Sequence, residues 1–206
     1  MRGLSDMADS AVARRVPRQE RSARTVDALL EAAGNVIAER GFEAATMTQI
    51  AQLAGMSIGA SYQYFPNKEA LAFELRRRCG DEMDARFSAL IEAGEPVPLP
   101  DLVERLFDLM IGLMEAYPAY LTLLSVPLGF RRDVAARNRL RRRFAVLFQR
   151  YNASLDADEA YRIAEVMLQV MKSLNPLYAV AKPKERKLLV AEYKGVLSAW
   201  LAGRLG

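Results

Sequence analysis

A chain of 206 residues can bury one large core or two small ones, and 51% hydrophobic with 26% charged residues is the balance of a globular protein. With no histidine and a single cysteine, Cys79, it can build no internal disulfide, no Cys/His metal cluster and no nucleophile–histidine relay, although catalysis by carboxylates or lysine stays open. The net charge of +4 admits an anionic partner without demanding one; with no leader-like start and no apolar run near the ~20 residues of a membrane helix, a cytoplasmic protein is expected.

Residues 1–19 show no periodicity and carry Arg2, Arg14, Arg15 and Arg18. They are expected to be a flexible basic arm, either simply solvated or, together with Arg21, making a non-specific electrostatic contribution. The first helix is expected from Arg21 to Arg40, with Val26, Leu29, Leu30, Ala33 and Ile37 on one face and Gly41 as its C-cap. Thr46-Met47-Thr48-Gln49 fits a capping box and opens a short helix that Gly55 closes. Ser57 is placed to N-cap a third helix, Ile58 to Phe65, before Pro66-Asn67 breaks the chain. A longer helix runs from Lys68 toward Ile91, and Glu95-Pro96-Val97-Pro98-Leu99-Pro100 reads as a linker. Helices then follow over Asp101–Tyr117, Pro118–Val126, Arg131–Asn152, Ala157–Ala179 and Lys184–Leu201. No alternating β pattern competes with them, so the expected fold class is all-α.

Two helices of about two turns each cannot survive alone in water, so the pair around Ala54-Gly55-Met56-Ser57 must pack on the first long helix. That three-helix unit is either a helix-turn-helix or a tight corner in an ordinary helical domain. The stretch Thr48-Gln49-Ile50-Ala51-Gln52-Leu53-Ala54-Gly55-Met56-Ser57-Ile58-Gly59-Ala60-Ser61-Tyr62-Gln63-Tyr64-Phe65-Pro66-Asn67-Lys68-Glu69-Ala70-Leu71 closely resembles the signature of the TetR family of transcriptional regulators. The likeness lies in the Ile-Ala-x-x-Ala-Gly core, the Ser-x-Gly opening, the Tyr-x-Tyr-Phe run and the Lys-Glu-x-Leu restart. It extends back to the helix near Arg24 and through Gly41-Phe42, about a quarter of the chain. Ser61 departs from the pattern, which places a larger apolar residue there; the departure bears on how the third helix packs and reads bases.

The resemblance implies a DNA-binding helix-turn-helix domain over residues 20–80, its motif at 46–65, and a helical ligand-binding and dimerisation domain over residues 81–206. By resemblance Thr48, Tyr64 and Lys68 contact phosphates. Gly59 and Ala60 allow close approach of backbone to bases, and Tyr62 and Tyr64 carry hydroxyls that reach phosphate oxygens. Base readers are sought among Ser57, Gly59, Ala60, Ser61 and Gln63. Gln63 either pairs bidentately with adenine or is an exposed polar spacer. Ile50, Leu53, Ala54, Ile58 and Phe65 read as core.

In the second half, Phe107, Met110, Met114, Tyr117, Tyr120, Phe148, Met167 and Met171 are either pocket walls or plain core, and Asn175 is either a ligand partner or a cap for the turn that Pro176 breaks. The Asp101–Tyr117 helix is apolar on most sides and belongs in the middle of its domain. Leu140, Phe144, Leu147, Phe148 and Tyr151 form a stripe with Arg131, Arg139 and Arg142 on the outer face; Asp133 and Arg137 are spaced to pair, either as an ordinary salt bridge near the helix start or as a contact to an anionic ligand or to the DNA-binding half. Ile163, Val166, Met167, Val170, Leu174 and Leu177 form one further stripe, and Leu189, Tyr193, Val196, Leu197 and Trp200 another. Pairing those last two helices with their copies gives the family's usual homodimer, which suits a palindromic operator. The implied function is a repressor without cofactor or metal, released from DNA by a largely apolar small molecule. An all-α enzyme and a helical protein-interaction module are the rival classes.

Overall fold

The computed structural model describes residues 18–93, 97–124, 126 and 134–206. Among them are nine helices and no strand. The basic arm lies outside the described residues except at 18 and 19, whose backbone already opens the first helix, three residues earlier than expected.

Helix α1, Arg18–Ala44, buries Leu29, Leu30, Ala33, Val36 and Ile37, an apolar face at helical spacing. Gly41 interrupts it with φ 79° and ψ 163°, a conformation essentially reserved for glycine. The chain then turns toward α2, Met47–Leu53, and α3, Ile58–Tyr64, which complete the three-helix unit. Their core holds Phe42, Ala45, Met47, Ile50, Phe65, Leu71 and Ala72 beside the α1 face.

Helix α4, Lys68–Glu92, runs from this unit into the second one. Leu71 and Ala72 near its start belong to the first core, Phe87 and Ile91 near its end to the second. Gly80 lies within it and does not end it. The second core is built on α5, Leu99–Ala116, buried through Leu102, Val103, Leu106, Phe107, Met110, Leu113 and Met114, as its near-continuous apolar sequence requires. Around it stand α7, Val134–Tyr151; α8, Ala157–Val180; and α9, Pro183–Leu205. The short α6, Pro118–Leu124, sends Ala119 and Leu123 back into the first core, against α1.

Two expectations are corrected. Pro176, expected to kink or end its helix, does not end it: α8 runs to Val180, one residue past the expected Ala179. Neighbouring side chains hold it there, with Leu174 and Tyr178 buried on either side of the proline. Leu53 and Ile58, read as core, are 56% and 42% exposed, because each short helix has only one inward face and these two sit on the other. The Asp133–Arg137 pair, and Arg131, lie outside what can be described, since residues 127–133 are not among the described residues. No described helix is long and apolar enough to cross a membrane.

Candidate functional site

The turn between α2 and α3 is fixed by backbone chemistry at every step. Thr46 Oγ1 accepts from Gln49 N at 3.3 Å while Gln49 Oε1 accepts from Thr46 N at 3.1 Å, the reciprocal capping box that the sequence spells out. At the other end Gly55 takes φ 70°, its N–H donating to Gln52 O and that of Met56 to Ala51 O, so two carbonyls left over at the helix end are satisfied. Ser57 Oγ then accepts from Ala60 N at 3.2 Å and starts α3. Asn67 Oδ1 accepts from Ala70 N at 2.8 Å and starts α4.

This geometry sorts the expected contact residues. Thr48 on α2 and Ser57, Gly59, Tyr62, Gln63 and Tyr64 on α3 all face outward, and Ala60 is half-buried. Gln52, Leu53 and Ile58 are exposed beside them. Helix α3 carries no charged residue, so any phosphate contact from it is made by hydroxyl or amide groups. Ser61 is the exception. It is fully buried and its hydroxyl donates to Ile58 O at 2.8 Å, so it packs the underside of α3 and reads no base. The structure thereby explains the departure from the family pattern: the polar atom is satisfied within its own turn.

Lys68 is less free than a phosphate contact suggests. Its ammonium donates to Phe42 O and Glu43 O, both at 3.0 Å, and lies 4.6 Å from the Phe42 ring centre. It ties the start of α4 to the end of α1, leaving one of its three N–H groups for another acceptor.

A cavity of about 460 Å³, within the range of small-molecule sites, lies in the second unit between α4, α5, α6, α7 and α8. Of the expected pocket residues, Met110, Tyr120, Met171 and Asn175 line it. Phe107, Met114, Phe148 and Met167 do not: each is fully buried in the packed core, where helical periodicity cannot separate a wall from a filler. Tyr117 is 43% exposed and faces a second hollow between α1 and α4.

Of the charged side chains in the cavity lining, sequence reading singled out Arg137 alone, with a ligand contact as one of its two readings, and missed Arg76, Asp84, Arg141 and Lys172. Arg76 and Asp84 enter from α4, Arg137 and Arg141 from α7, and Lys172 from α8. Arg141 is 7% exposed and pairs with Glu165 Oε1 at 3.1 Å. Arg76 donates to Val126 O at 3.2 Å, and burial holds its guanidinium below its usual range. For Arg76 and Asp84 the sequence signal was their helical spacing with Gly80 and Phe87, which a charged outer face mimics. Among the described residues no group of acidic or sulfur side chains could hold a metal.

Residues 29–75 match the model of bacterial regulatory proteins of the tetR family, and residues 98–201 match that of the tetracyclin repressor-like C-terminal domain. The chain belongs to the TetR family. The two matched segments fall on the α1–α4 unit and on the helices around the cavity, in the order of this TetR chain. It is 35% identical over 88 residues to the HTH-type transcriptional repressor KstR2 of Mycobacterium tuberculosis, covering 43% of this chain and 42% of that one. It is 33% identical over 100 residues to KstR2 of Mycolicibacterium smegmatis, covering 48% and 45%. The chain thus spans less than half the length of the curated relatives it matches. Its fold is similar to that of a TetR-family regulator from Streptomyces coelicolor, with TM-score 0.64, 20% identity and coverage of 88% and 99%. The fatty acid degradation regulator FadR of Bacillus halodurans gives TM-score 0.59 at 17% identity, covering 84% and 94%.

Proposed function

We propose that this TetR-family chain is a dimeric transcriptional repressor that binds a palindromic operator and leaves it when a small molecule fills the cavity beside α4. The observation that carries the reading is the outward face of α2 and α3 in a TetR-family helix-turn-helix. Thr48, Tyr62 and Tyr64 supply hydroxyls for phosphates, Gly59 and Ala60 a low surface for approach, and Gln63 an amide able to pair with adenine. Ser57 is spent largely on its cap, and Lys68 contributes its remaining N–H and its charge. Relatives named as repressors support the sign of regulation.

Dimerisation is supported by apolar side chains that this chain leaves uncovered on its last two helices. Val166, Leu177 and Val180 on α8 are 44%, 44% and 85% exposed, and Leu188 and Val196 on α9 are 54% and 60% exposed. Val166, Leu177 and Val196 come from the expected stripes, Val180 and Leu188 lie outside them, and Ile163, Met167, Leu174 and Leu197 of the same stripes are buried within the subunit. Each stripe therefore divides into an inner row for this core and an outer row for a second copy. Coupling runs through α4, whose first residue sits at the DNA-binding unit and whose Arg76, Gly80, Met83, Asp84 and Phe87 wall the cavity. From Lys68 to Gly80 is about 18 Å of one helix, short enough to move as a rod. A role on DNA places the protein in the cytoplasm.

Repeated selection of random duplex DNA on the purified chain tests this. It is expected to recover a palindrome with half-sites about one helical turn apart. Retention of all sequences alike would refute it and favour a protein-interaction module.

A further inference from the structure

We propose that Ile58 is a specificity-determining residue that reads thymine, its side chain seated against the C5-methyl group in the major groove. The proposal rests on the reading of α2 and α3 as the DNA-binding face and adds which base that face selects. Between Glu43 and Lys68 the chain carries no charged residue, and that stretch contains all of α2, the turn and α3. The motif therefore lacks arginine and lysine, the side chains that most often read guanine, and the carboxylates that accept from cytosine. What it offers a base edge is amide, hydroxyl and alkyl groups. For an alkyl group the major groove holds one counterpart, the methyl of thymine, since no other base presents one there.

Ile58 is where the structure leaves such a group. Its side chain is 42% exposed and belongs to the buried residues of neither core. Elsewhere on α3, Gly59 has no side chain, Ala60 is half-buried, Ser61 is buried, and Tyr62, Gln63 and Tyr64 end in polar groups. Ile58 is thus the one large aliphatic side chain that α3 turns outward. A single exposed isoleucine is ordinary on a protein surface. This one is the first residue of the recognition helix, whose early positions are the ones that meet base edges. Ser57 Oγ, accepting from Ala60 N, fixes that first turn and with it the direction in which Ile58 leaves the backbone. Branching at Cβ restricts its χ1, so the side chain loses little freedom on seating. Leu53 is exposed too, but it closes α2, the helix that crosses the DNA backbone instead of entering the groove. Uracil differs from thymine only in lacking the methyl, and burying one such carbon corresponds to a discrimination of about fourfold.

The test measures, by fluorescence anisotropy, binding of the full purified chain to the palindromic duplex recovered by selection. Uracil replaces thymine at one symmetric pair of positions at a time, which removes a methyl from each half-site and changes no hydrogen bond. At one such pair the loss is expected to be roughly fifteenfold, the product of the two half-sites, with little change elsewhere. Ile58→Ala is expected to bind the thymine and uracil duplexes alike, at about the affinity that the unsubstituted chain shows for the uracil duplex. Ile58→Val, which keeps the branched end, is expected to retain most of the preference for thymine. Uracil tolerated at every position, or a preference for thymine that persists undiminished in Ile58→Ala, would overturn the role of Ile58 while leaving the DNA-binding face standing. Retention of all sequences alike in the selection would overturn the proposal together with the reading it rests on.

Discussion

Cys79 lies on the buried side of α4, and burial pushes its thiol up to about 11 from the usual 9.0. At pH 8 its thiolate fraction is therefore on the order of a hundredfold below that of a free thiol, and alkylation by iodoacetamide is expected to slow by that factor in the native protein and recover in urea. The sign of the linked stability effect follows. Between pH 9 and 11 the unfolded chain loses the thiol proton that the folded chain keeps, so this group's contribution to stability is intact below pH 9 and is lost as pH rises through 11. Substituting Cys79→Ala is expected to flatten that part of the stability–pH curve in urea titrations. Tyr64 carries the second residue-scale prediction. If its hydroxyl meets a phosphate, Tyr64→Phe weakens DNA binding about equally for all sequences, without altering the preferred site. The caps, the glycine turn and the outward tyrosines were legible in the sequence because each depends on neighbours three or four positions away. Ser61, Lys68 and Arg141 were not. The inward turn of Ser61 depends on which side of α3 meets α2, Lys68 finds its carbonyls at Phe42 and Glu43, and Arg141 finds Glu165 on another helix.

At the scale of the element, the helix-turn-helix depends on two small devices. Thr46→Ala removes one half of the reciprocal cap of α2 and is expected to cost about 1 kcal/mol in urea unfolding. Gly41→Ala forces a Cβ into the φ 79° break that redirects α1 toward α2, at an expected cost of about 1–3 kcal/mol, although the space around that position is open. The penalty there is conformational and would appear whatever small residue replaces the glycine. Gly41 was readable as a helix end, but not that helical turns resume as far as Ala44. Pro176 shows the limit of local rules more clearly. Its missing N–H weakens one turn of α8, yet burial of Leu174 and Tyr178 against the core carries the helix four residues further. Asn175 is consequently not the cap of a broken turn; its side-chain oxygen lies buried at the cavity.

Across the whole molecule, α4 shares its residues between two cores, and α6 returns to pack on α1. On the proposed reading, a change in how the cavity is filled would reach the DNA-binding unit along α4 and across the α6–α1 contact. On the same reading, the outer rows of α8 and α9 hold two copies at the fixed spacing that a palindrome would require. Leu177→Glu combined with Val196→Glu places charge in that row and is expected to give a monomer in analytical ultracentrifugation that is folded but has lost tight operator binding. A double variant that stays dimeric would place the interface elsewhere. Stripes at helical spacing were visible in the sequence, but only packing divides Met167 and Leu197, which face inward, from Val166 and Val196, which face outward. The most direct test is hydroxyl-radical footprinting of the chain on a duplex recovered by selection. Two protected patches related by a two-fold axis and centred about one helical turn apart, appearing together as protein is added, are predicted. Protection that is uniform along the duplex, or absent at concentrations where the chain is dimeric, would contradict the account.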